Sequence, residues 1–336
     1  MCARPKRAPF QASTGARVLE RLLNNMDAYV SGTSICRELG LSRVAVWKHV
    51  QTLRDQGCRI AARRHCGYRL LAVPDLPTAE AVSPRLRTRM LGRPLLFFRE
   101  VDSTNRQAAQ RAAAGAPEGL AVVADHQTAG RGRMGRDWYS PTGVNLYLSL
   151  LLRPRTELVR VPTLPLAIGC GVARALAAVA AGVPVRIKWP NDLLVGGRKL
   201  GGILCEMEAE ADGVRHVVVG VGINVNVRRR QLPSALAQKA TSLAIETGKR
   251  FSRADVLAEV LNHIEDVYGV WREGGLAPLL AEIARLDALR GRQVRVEQAR
   301  GVVAGRADGI QADGTLRILP ADGAPIAVCS GDAHIT

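Results

Sequence analysis

The sequence predicts an α+β protein with three parts: a small basic helical module, a central sheet with helices, and a C-terminal all-β module. Two helical patterns separated by a glycine occur before residue 60, and strands of alternating polarity recur between about residues 95 and 285. After Gly291 the sequence Ala-Asp-Gly, which favours tight hairpin turns, occurs three times. A chain of 336 residues with 47% hydrophobic content is long enough for two or three domains with sizeable cores.

The first module carries a disproportionate share of the positive charge. Residues 1–73 contain 13 Lys and Arg against 4 Asp and Glu, a surplus of nine out of the chain's total of +17. Concentrated positive charge attracts polyanions, so we expect a nucleic-acid partner for this module. Residues 1–15 are basic and contain proline, and they are predicted to form a disordered tail.

Residues 16–73 have the pattern of a winged helix-turn-helix. An apolar face at Val18, Leu22 and Leu23 predicts the first helix. We expect Ser34 to cap a second helix that stops at Gly40, and Ser42 to cap a third over Arg43–Asp55. The third helix is expected to bury Val44, Val50 and Leu53 and to expose Arg43, Trp47, Lys48 and Gln51, and residues 59–71 are expected to form a basic two-stranded wing. An ordinary three-helix bundle is the alternative, but the charge and the wing favour DNA binding.

The cysteines and the apolar segments bear on cellular location. Seven scattered cysteines without a CxxC pair favour a reducing cytoplasm. Cys58, His65 and Cys66 fit no common zinc spacing. Met1–Phe10 is basic and lacks the apolar core of a secretory signal. The apolar run from Leu164 to Val183 could span a bilayer in length, but its small residues and central Arg174 favour a buried helix.

After a proline-marked linker at 74–92, residues 93–288 are predicted to form a sheet with helices. Three segments, at 145–150, 203–208 and 223–227, alternate apolar with polar residues, which indicates antiparallel strands with helices on one face. The recurring polar face is a plausible ligand surface, although such a face can also simply meet solvent. Helices are predicted over Val256–Tyr268 and Leu276–Leu289, and residues 289–336 form the all-β module.

Residues 127–138, Gln-Thr-Ala-Gly-Arg-Gly-Arg-Met-Gly-Arg-Asp-Trp, form the most distinctive segment of the chain. Glycine permits close approach of the backbone to a ligand, and arginine presents a fixed cationic fork to carboxylate or phosphate oxygens. This pattern predicts a loop that closes over an anion and whose order depends on that anion. A solvated basic turn or an RNA-binding Gly/Arg tract is the alternative.

A second polar cluster follows in Lys188-Trp189-Pro190-Asn191-Asp192 and Arg198-Lys199-Leu200-Gly201-Gly202. Pro190 forces an extended or turn geometry, so Asn191 and Asp192 are expected at a strand end where they can reach a ligand. A plain turn and a solvated hairpin lysine are the alternatives for these residues taken singly.

Five segments in this order resemble bifunctional biotin–protein ligases that also repress the biotin operon. They are Asp102–Asn105, Gly130–Arg136, Lys188–Asp192, Arg198–Gly202 and Gly220–Asn224, and the resemblance covers roughly residues 16–330. It implies a class II synthetase-like catalytic domain at 93–288 and an SH3-like C-terminal barrel at 289–336. It also implies ATP and biotin as substrates, Mg²⁺ entering with the nucleotide, and no protein-only metal site.

The resemblance implies two-step acyl transfer: biotin's carboxylate attacks the α-phosphate of ATP, and a carrier-domain lysine then takes the biotinyl group from biotinyl-5′-AMP. The implied catalytic residues are Lys199, Arg131, Arg133 and Asp192. Biotin binding is implied for Ser103, Thr104, Asn105, Gln127, Gly130, Arg131, Gly132, Arg133, Lys199, Gly202, Gly220 and Gly222. Nucleotide binding is implied for Arg133, Arg136, Trp138, Lys188, Asn191, Asp192 and Asn224.

The same resemblance implies operator binding through Ser42, Arg43, Trp47, Lys48, Arg63 and Arg64, and a homodimer when biotinyl-AMP is bound. The expected partners are a biotin carrier domain and operator DNA, with no membrane. Met134 replaces an arginine tied to dimerisation in relatives, and Ala240 replaces a tryptophan that packs near adenine. A sensor-only DNA-binding regulator and a lipoate–protein ligase are the alternative functions.

Overall fold

The computed structural model describes residues 14–26, 28–55, 57–210, 213–298 and 301–336. The described residues up to Arg85 form one compact unit, and Leu86–Thr336 form another. Residues 1–13 of the predicted tail lie outside the described residues. The first described helix begins at Thr14, within the last two residues of the segment predicted as the tail.

The first unit contains three helices, a two-stranded hairpin and a short fourth helix. They are α1 (Thr14–Leu23), α2 (Gly32–Leu39), α3 (Arg43–Asp55), β1 (Arg59–Arg63), β2 (Gly67–Ala72) and α4 (Ala79–Val82). Strands β1 and β2 pair antiparallel, as expected of a wing. The core of the unit joins apolar residues of all three helices to the hairpin, among them Leu19, Ile35, Val50 and Leu70.

Two local predictions in this unit are corrected. Helix α2 is capped by Ser31, whose side chain accepts from the Ser34 backbone N–H, so Ser34 lies inside the first turn. Val44 is 62% exposed, and Val46 takes the buried position because it lies one turn before Val50. The cap at Ser42 is confirmed by its contact with the Ala45 backbone N–H.

The second unit contains a seven-stranded mixed sheet and a five-stranded antiparallel sheet. The first has the order β3-β4-β5-β9-β8-β7-β6, in which only the β3–β4 pair is parallel. Its strands are β3 (Leu95–Val101), β4 (Ala121–Gln127), β5 (Leu146–Leu152), β6 (Arg186–Lys188), β7 (Asp192–Val195), β8 (Arg198–Glu210) and β9 (Gly213–Ile223). Its helices are α5 (Thr104–Ala113), α6 (Leu164–Val179), α7 (Leu243–Thr247), α8 (Arg253–Gly274) and α9 (Leu280–Leu286).

The C-terminal sheet has the order β13-β12-β11-β10-β14. Its strands are β10 (Gln293–Gln298), β11 (Gly301–Ile310), β12 (Leu316–Leu319), β13 (Ile326–Val328) and β14 (Asp332–Ile335). Asp308-Gly309 does not form the predicted turn: it lies within β11, where the register with β12 shifts between Ala307 and Gly309. The predicted fold is otherwise confirmed, with an N-terminal helix-turn-helix, a central mixed sheet with helices and a C-terminal antiparallel sheet.

The central sheet departs from the prediction at residues 224–227. Strand β9 ends at Ile223, because the next residues pair outside the sheet ladder: the Asn226 N–H donates to Val144 O, and Val225 O accepts from the Ala244 N–H. The apolar stretch Leu158–Val179 is long enough to cross a membrane, but 72% of its apolar window is buried. It therefore fits the predicted core helix, and Arg174 pairs there with Glu282.

Candidate active site

One cavity of about 260 Å³ brings together residues that are far apart in the sequence. It is lined by the start of α5, the arginine loop, the β7–β8 hairpin and the glycines of β9. Every residue predicted for catalysis or biotin binding lines it except Gly130, and every residue predicted for the nucleotide lines it except Lys188.

At one end of the cavity, α5 presents a fixed set of polar atoms. Gln127 Oε1 accepts from the Thr104 backbone N–H at 2.9 Å and from Thr104 Oγ1 at 3.1 Å. Ser149 Oγ lies 2.6 Å from Asn105 Oδ1 and 2.8 Å from Thr104 Oγ1. Asn105 Nδ2 donates to Glu206, which leaves Asn105 Oδ1 on the side of Ser149 and Gly220. These contacts fix which atoms can accept and which can donate to a polar ligand.

Two glycines of β9 make room for these side chains. A Cβ atom at Gly220 would lie 2.3 Å from Asn105 Oδ1, and one at Gly222 would lie 2.6 Å from the Trp138 indole. No ordinary side chain fits such distances, so both positions require glycine while Asn105 and Trp138 keep their places.

The middle of the cavity holds a lysine against a carboxylate and an aromatic ring. Lys199 Nζ lies 2.6 Å from Asp192 Oδ1 and 5.4 Å from the centre of the Trp138 ring. Asp192 begins β7 directly after the turn that contains Asn191, so both residues lie at a strand end as predicted. Trp138 Nε1 is buried and has no hydrogen-bond partner among the described residues. Because a buried donor is normally paired, this N–H fits a ligand oxygen.

The arginine loop forms a closed hairpin over the cavity. Its backbone is joined by the bonds Gly132 N–H to Arg136 O at 2.6 Å and Trp138 N–H to Gly130 O at 2.9 Å. Arg133 donates to Asn191 Oδ1 at 3.4 Å and to Gly331 O at 3.3 Å. Burial lowers the pKa of the Arg133 guanidinium from its ordinary value, which still leaves it a cation at neutral pH.

Asp332, which the sequence did not single out, joins the C-terminal sheet to this site. Its carboxylate forms an ion pair with Arg136, and Lys188 Nζ lies 4.0 Å from it. Burial disfavours the charged carboxylate, yet the hydrogen bond from Arg136 and the charge of Lys188 together lower the pKa of Asp332. Lys188 therefore contacts the cavity's lining through Asp332, although it does not itself line the cavity.

The six residues predicted for DNA binding lie in the first unit. Ser42, Arg43, Trp47 and Lys48 are exposed at the start of α3, and Arg63 and Arg64 are exposed at the tip of the wing. Together they form one cationic helix face and one cationic hairpin tip, which is the charge distribution of a winged helix-turn-helix that binds DNA.

Comparison with known proteins identifies the family. The model of the "Biotin/lipoate A/B protein ligase family" matches residues 97–224, and that of an "HTH domain" matches residues 16–69. The chain is 40% identical over 297 residues to the bifunctional ligase/repressor BirA of Bacillus spizizenii, which covers 88% of this chain and 90% of that protein. The chain belongs to the family of bifunctional biotin ligase/repressors. Its identity to BirA of Escherichia coli is 33%, over 87% of this chain and 88% of the relative.

The fold agrees with solved structures of biotin–protein ligases. The biotin protein ligase of Aquifex aeolicus in complex with biotin and ATP matches with a TM-score of 0.64 and 32% identity, over 72% of this chain and 99% of that one. The sequence did not assign Tyr139, Tyr147 or Asp332 to the site, although all three line the cavity. It also did not assign the buried Ser149, whose hydroxyl donates to Asn105 Oδ1. Ser149 had a signal in the alternating polarity of its strand, whereas nothing local distinguishes Asp332.

Proposed function

We propose that this chain activates biotin with ATP to biotinyl-5′-AMP, transfers biotin to a lysine of a biotin carrier domain, and represses transcription with the intermediate bound. The observation that supports the proposal is the convergence on one cavity of Lys199, the arginine loop and the polar set around Asn105. Two anions must meet there, and fixed cations stabilise the charge that develops between them.

In the first step, a carboxylate oxygen of biotin attacks the α-phosphorus of ATP. The bond from that phosphorus to the bridging oxygen of the β-phosphate breaks, and pyrophosphate leaves with the electron pair. Lys199 lines the cavity beside Asp192 and Trp138, and we assign it to the oxygen shared by the carboxylate and the α-phosphate. Arg131 and Arg133 add positive charge from the loop side.

The head group of biotin fits the polar end of the cavity. A ureido group has two N–H donors and one carbonyl acceptor. Asn105 Oδ1 and Thr104 Oγ1 are acceptors for the N–H groups, and the Ser103 hydroxyl can donate to the carbonyl. The buried Ser149 hydroxyl donates to Asn105 Oδ1 and holds that acceptor in place. Gly132 and Gly202 line the cavity and let the backbone approach the bound acid, whereas Gly130 leaves room for Ser140 and the Trp138 backbone within the loop.

The nucleotide is assigned to the other end of the cavity. Trp138, Asn191 and Asn224 line it, and Arg136 reaches it from the loop. Mg²⁺ would supply charge neutralisation for the leaving pyrophosphate. We assign Mg²⁺ to the triphosphate, with Asp192 as a neighbouring carboxylate. Ala240 lines the cavity where relatives carry tryptophan, and we assign adenine packing to the neighbouring Leu232 and Leu236.

In the second step, the neutral ε-amine of a carrier-domain lysine attacks the acyl carbon. The acyl–oxygen bond breaks, AMP leaves with the electron pair, and the nitrogen releases one proton to solvent water as the amide forms. Asp192 lies beside Lys199 in the cavity and would orient the incoming amine. The hairpin of the arginine loop keeps water from the mixed anhydride between the two steps.

The first unit gives the protein its proposed regulatory function. Its exposed cations are suited to operator phosphates and base edges, and we propose that a homodimer carrying biotinyl-AMP binds the operator. Met134 is 73% exposed at the tip of the arginine loop, where a neutral side chain removes one charge from the proposed dimer surface. We also propose a cytoplasmic location without a membrane partner, which is consistent with the free thiols of the described cysteines.

Gly220→Ala is expected to weaken biotin binding about tenfold while leaving ATP binding unchanged. The added Cβ would displace Asn105, and overpacking of this kind costs about 1–3 kcal/mol. Calorimetric titration with biotin measures the effect. Gly269→Ala is the matched control because a Cβ there meets no atom within 4 Å. Equal biotin affinity in both variants would contradict the assignment of Asn105.

Asp332→Ala is expected to raise the KM for ATP about three- to tenfold, with a much smaller effect on the KM for biotin. The change frees Arg136 and removes the carboxylate beside Lys188, and a charge-assisted hydrogen bond contributes about 1.5–3 kcal/mol when buried and less when exposed. Pyrophosphate release measures both constants. Asp322→Ala, at an exposed acid of the same sheet region, should match the wild type. An unchanged KM for ATP in Asp332→Ala would show that the C-terminal sheet does not contribute to nucleotide binding through Asp332.

The proposed ligase activity is tested by incubating the chain with ATP, Mg²⁺, biotin and a biotin carrier domain and recording intact masses. We expect the carrier to gain one biotinyl group, also in the presence of an equal concentration of lipoic acid. A lipoyl gain would favour a lipoate–protein ligase. No gain despite tight biotin binding would favour a sensor-only regulator.

A further inference from the structure

The outward face of α3 carries an apolar pair that the fold leaves in solvent. The core side of the helix is formed by Val46, Val50 and Leu53, all buried. On the other side Val44 is 62% exposed and Trp47 is 52% exposed. These two residues are three positions apart and are therefore neighbours on the helix surface. An apolar pair at the centre of a polar, cationic helix face indicates a contact with an apolar group of a ligand.

The position of Val44 within the helix is favourable for such a contact. The Ser42 side chain accepts from the Ala45 backbone N–H at 3.1 Å, so α3 begins immediately before Val44. The neighbouring cation Arg43 donates to Thr33 Oγ1 at 3.2 Å, which holds its guanidinium toward α2 and away from Val44. Val44 therefore projects into solvent from the first turn of α3 and presents an entirely apolar side chain.

Trp47 also presents an apolar surface. With the Gln51 amide oriented so that its oxygen accepts, that oxygen takes the Trp47 indole N–H at 3.2 Å and an Arg54 N–H at 3.0 Å. The one polar atom of the indole is thereby occupied within the helix. The ring can shield a contact made by Val44 from water, but it offers no hydrogen bond to a base.

We propose that Val44 determines operator specificity by contacting the C5-methyl group of a thymine. This inference rests on the proposed repressor function. Residues in the first turn of a recognition helix reach the base edges in the major groove. Among the groups that base pairs present there, the thymine methyl is the apolar one, and small apolar side chains are suited to it. Lys48, Arg63 and Arg64 then supply phosphate contacts, which position the helix without reading sequence.

The test uses uracil in place of thymine, because that change removes only the methyl group. A duplex is first selected from a random pool with the full chain, ATP, Mg²⁺ and biotin. Each thymine is then replaced by uracil in turn, and Kd is measured at one fixed salt concentration. For the wild type we expect about a fourfold loss at one position in each half-site, as corresponds to one buried methyl group. Val44→Ala should bind the thymine duplex about as weakly as the wild type binds a duplex that carries uracil in both half-sites, because the homodimer loses both contacts, and the variant should not respond to uracil.

Val159→Ala is the matched control, since Val159 is also highly exposed but lies in the second unit. It should keep the full response to uracil. A wild type that responds to no uracil substitution, or a Val44→Ala variant that responds as strongly as the wild type, would overturn the inference while leaving repression intact. Failure to select any duplex would instead contradict the proposed repressor function, and the inference that rests on it would fail as well.

Discussion

Lys199→Ala is expected to abolish biotinyl-AMP formation, with a fall in the rate of pyrophosphate release of at least about 100-fold. The variant removes the cation that lies 2.6 Å from Asp192 and at the centre of the cavity. Without it, the carboxylate and the α-phosphate would meet with less compensation of their negative charge. The measurement is pyrophosphate release in a single turnover with saturating biotin and ATP.

The fold should survive this change, since the Lys199 side chain is 37% exposed and its backbone bonds to Lys239 O and Thr241 N–H do not depend on the side chain. Lys239→Ala is the matched control: it removes an exposed lysine next to the cavity and should keep full activity. Full activity in Lys199→Ala would contradict the catalytic assignment.

Arg133→Gly is expected to release biotinyl-AMP into solution before transfer. Arg133 connects the arginine loop to Asn191 and to Gly331 O, so glycine at this position frees the loop from both contacts. An opened loop admits water to the mixed anhydride and lets the intermediate dissociate. We expect about a tenfold or greater increase in the dissociation rate, which corresponds to loss of about 1.4 kcal/mol.

Filtration of the enzyme after a single turnover separates retained from released adenylate. Arg155→Gly, an exposed arginine outside the cavity, should retain the intermediate like the wild type. If Arg133→Gly retained the adenylate equally well, the loop would not serve as the proposed lid.

The sequence predicts most strongly what is encoded locally. In three short segments the residue types alone predict the backbone geometry. They are the arginine loop, the Lys188–Asp192 turn and the glycines of β9. The Ser42 cap and the Gly40 stop are also local signals, and the structure has both. By contrast, Ser34 and Ser31 are both good capping residues three positions apart, and the chain leading into the helix decides between them.

The interactions that the sequence could not predict are distant or depend on packing. Asp332 accepts a hydrogen bond from Arg136, which lies 196 positions away in the sequence, and Glu206 accepts one from Asn105, which lies 101 positions away. No periodicity connects such pairs. Strand β9 stops at Ile223, although the alternation of residues continues to Val227, because α7 takes up the carbonyl groups of Asn224 and Val225 and the Asn226 N–H donates to Val144 O. Val44 was assigned to the core because apolar character alone does not distinguish a core residue from one that contacts a ligand.

We propose that one ATP-dependent site makes the molecule that both biotinylates the carrier domain and activates DNA binding. The proposal is tested by following the anisotropy of a selected, labelled duplex with the full chain. We expect binding to tighten when biotin and ATP are added together. We also expect binding to weaken when carrier domain is added, at the rate at which intact mass shows biotin on the carrier. The proposal would be contradicted if duplex binding did not change on addition of biotin and ATP. It would also be contradicted if the carrier gained biotin without any loss of bound duplex.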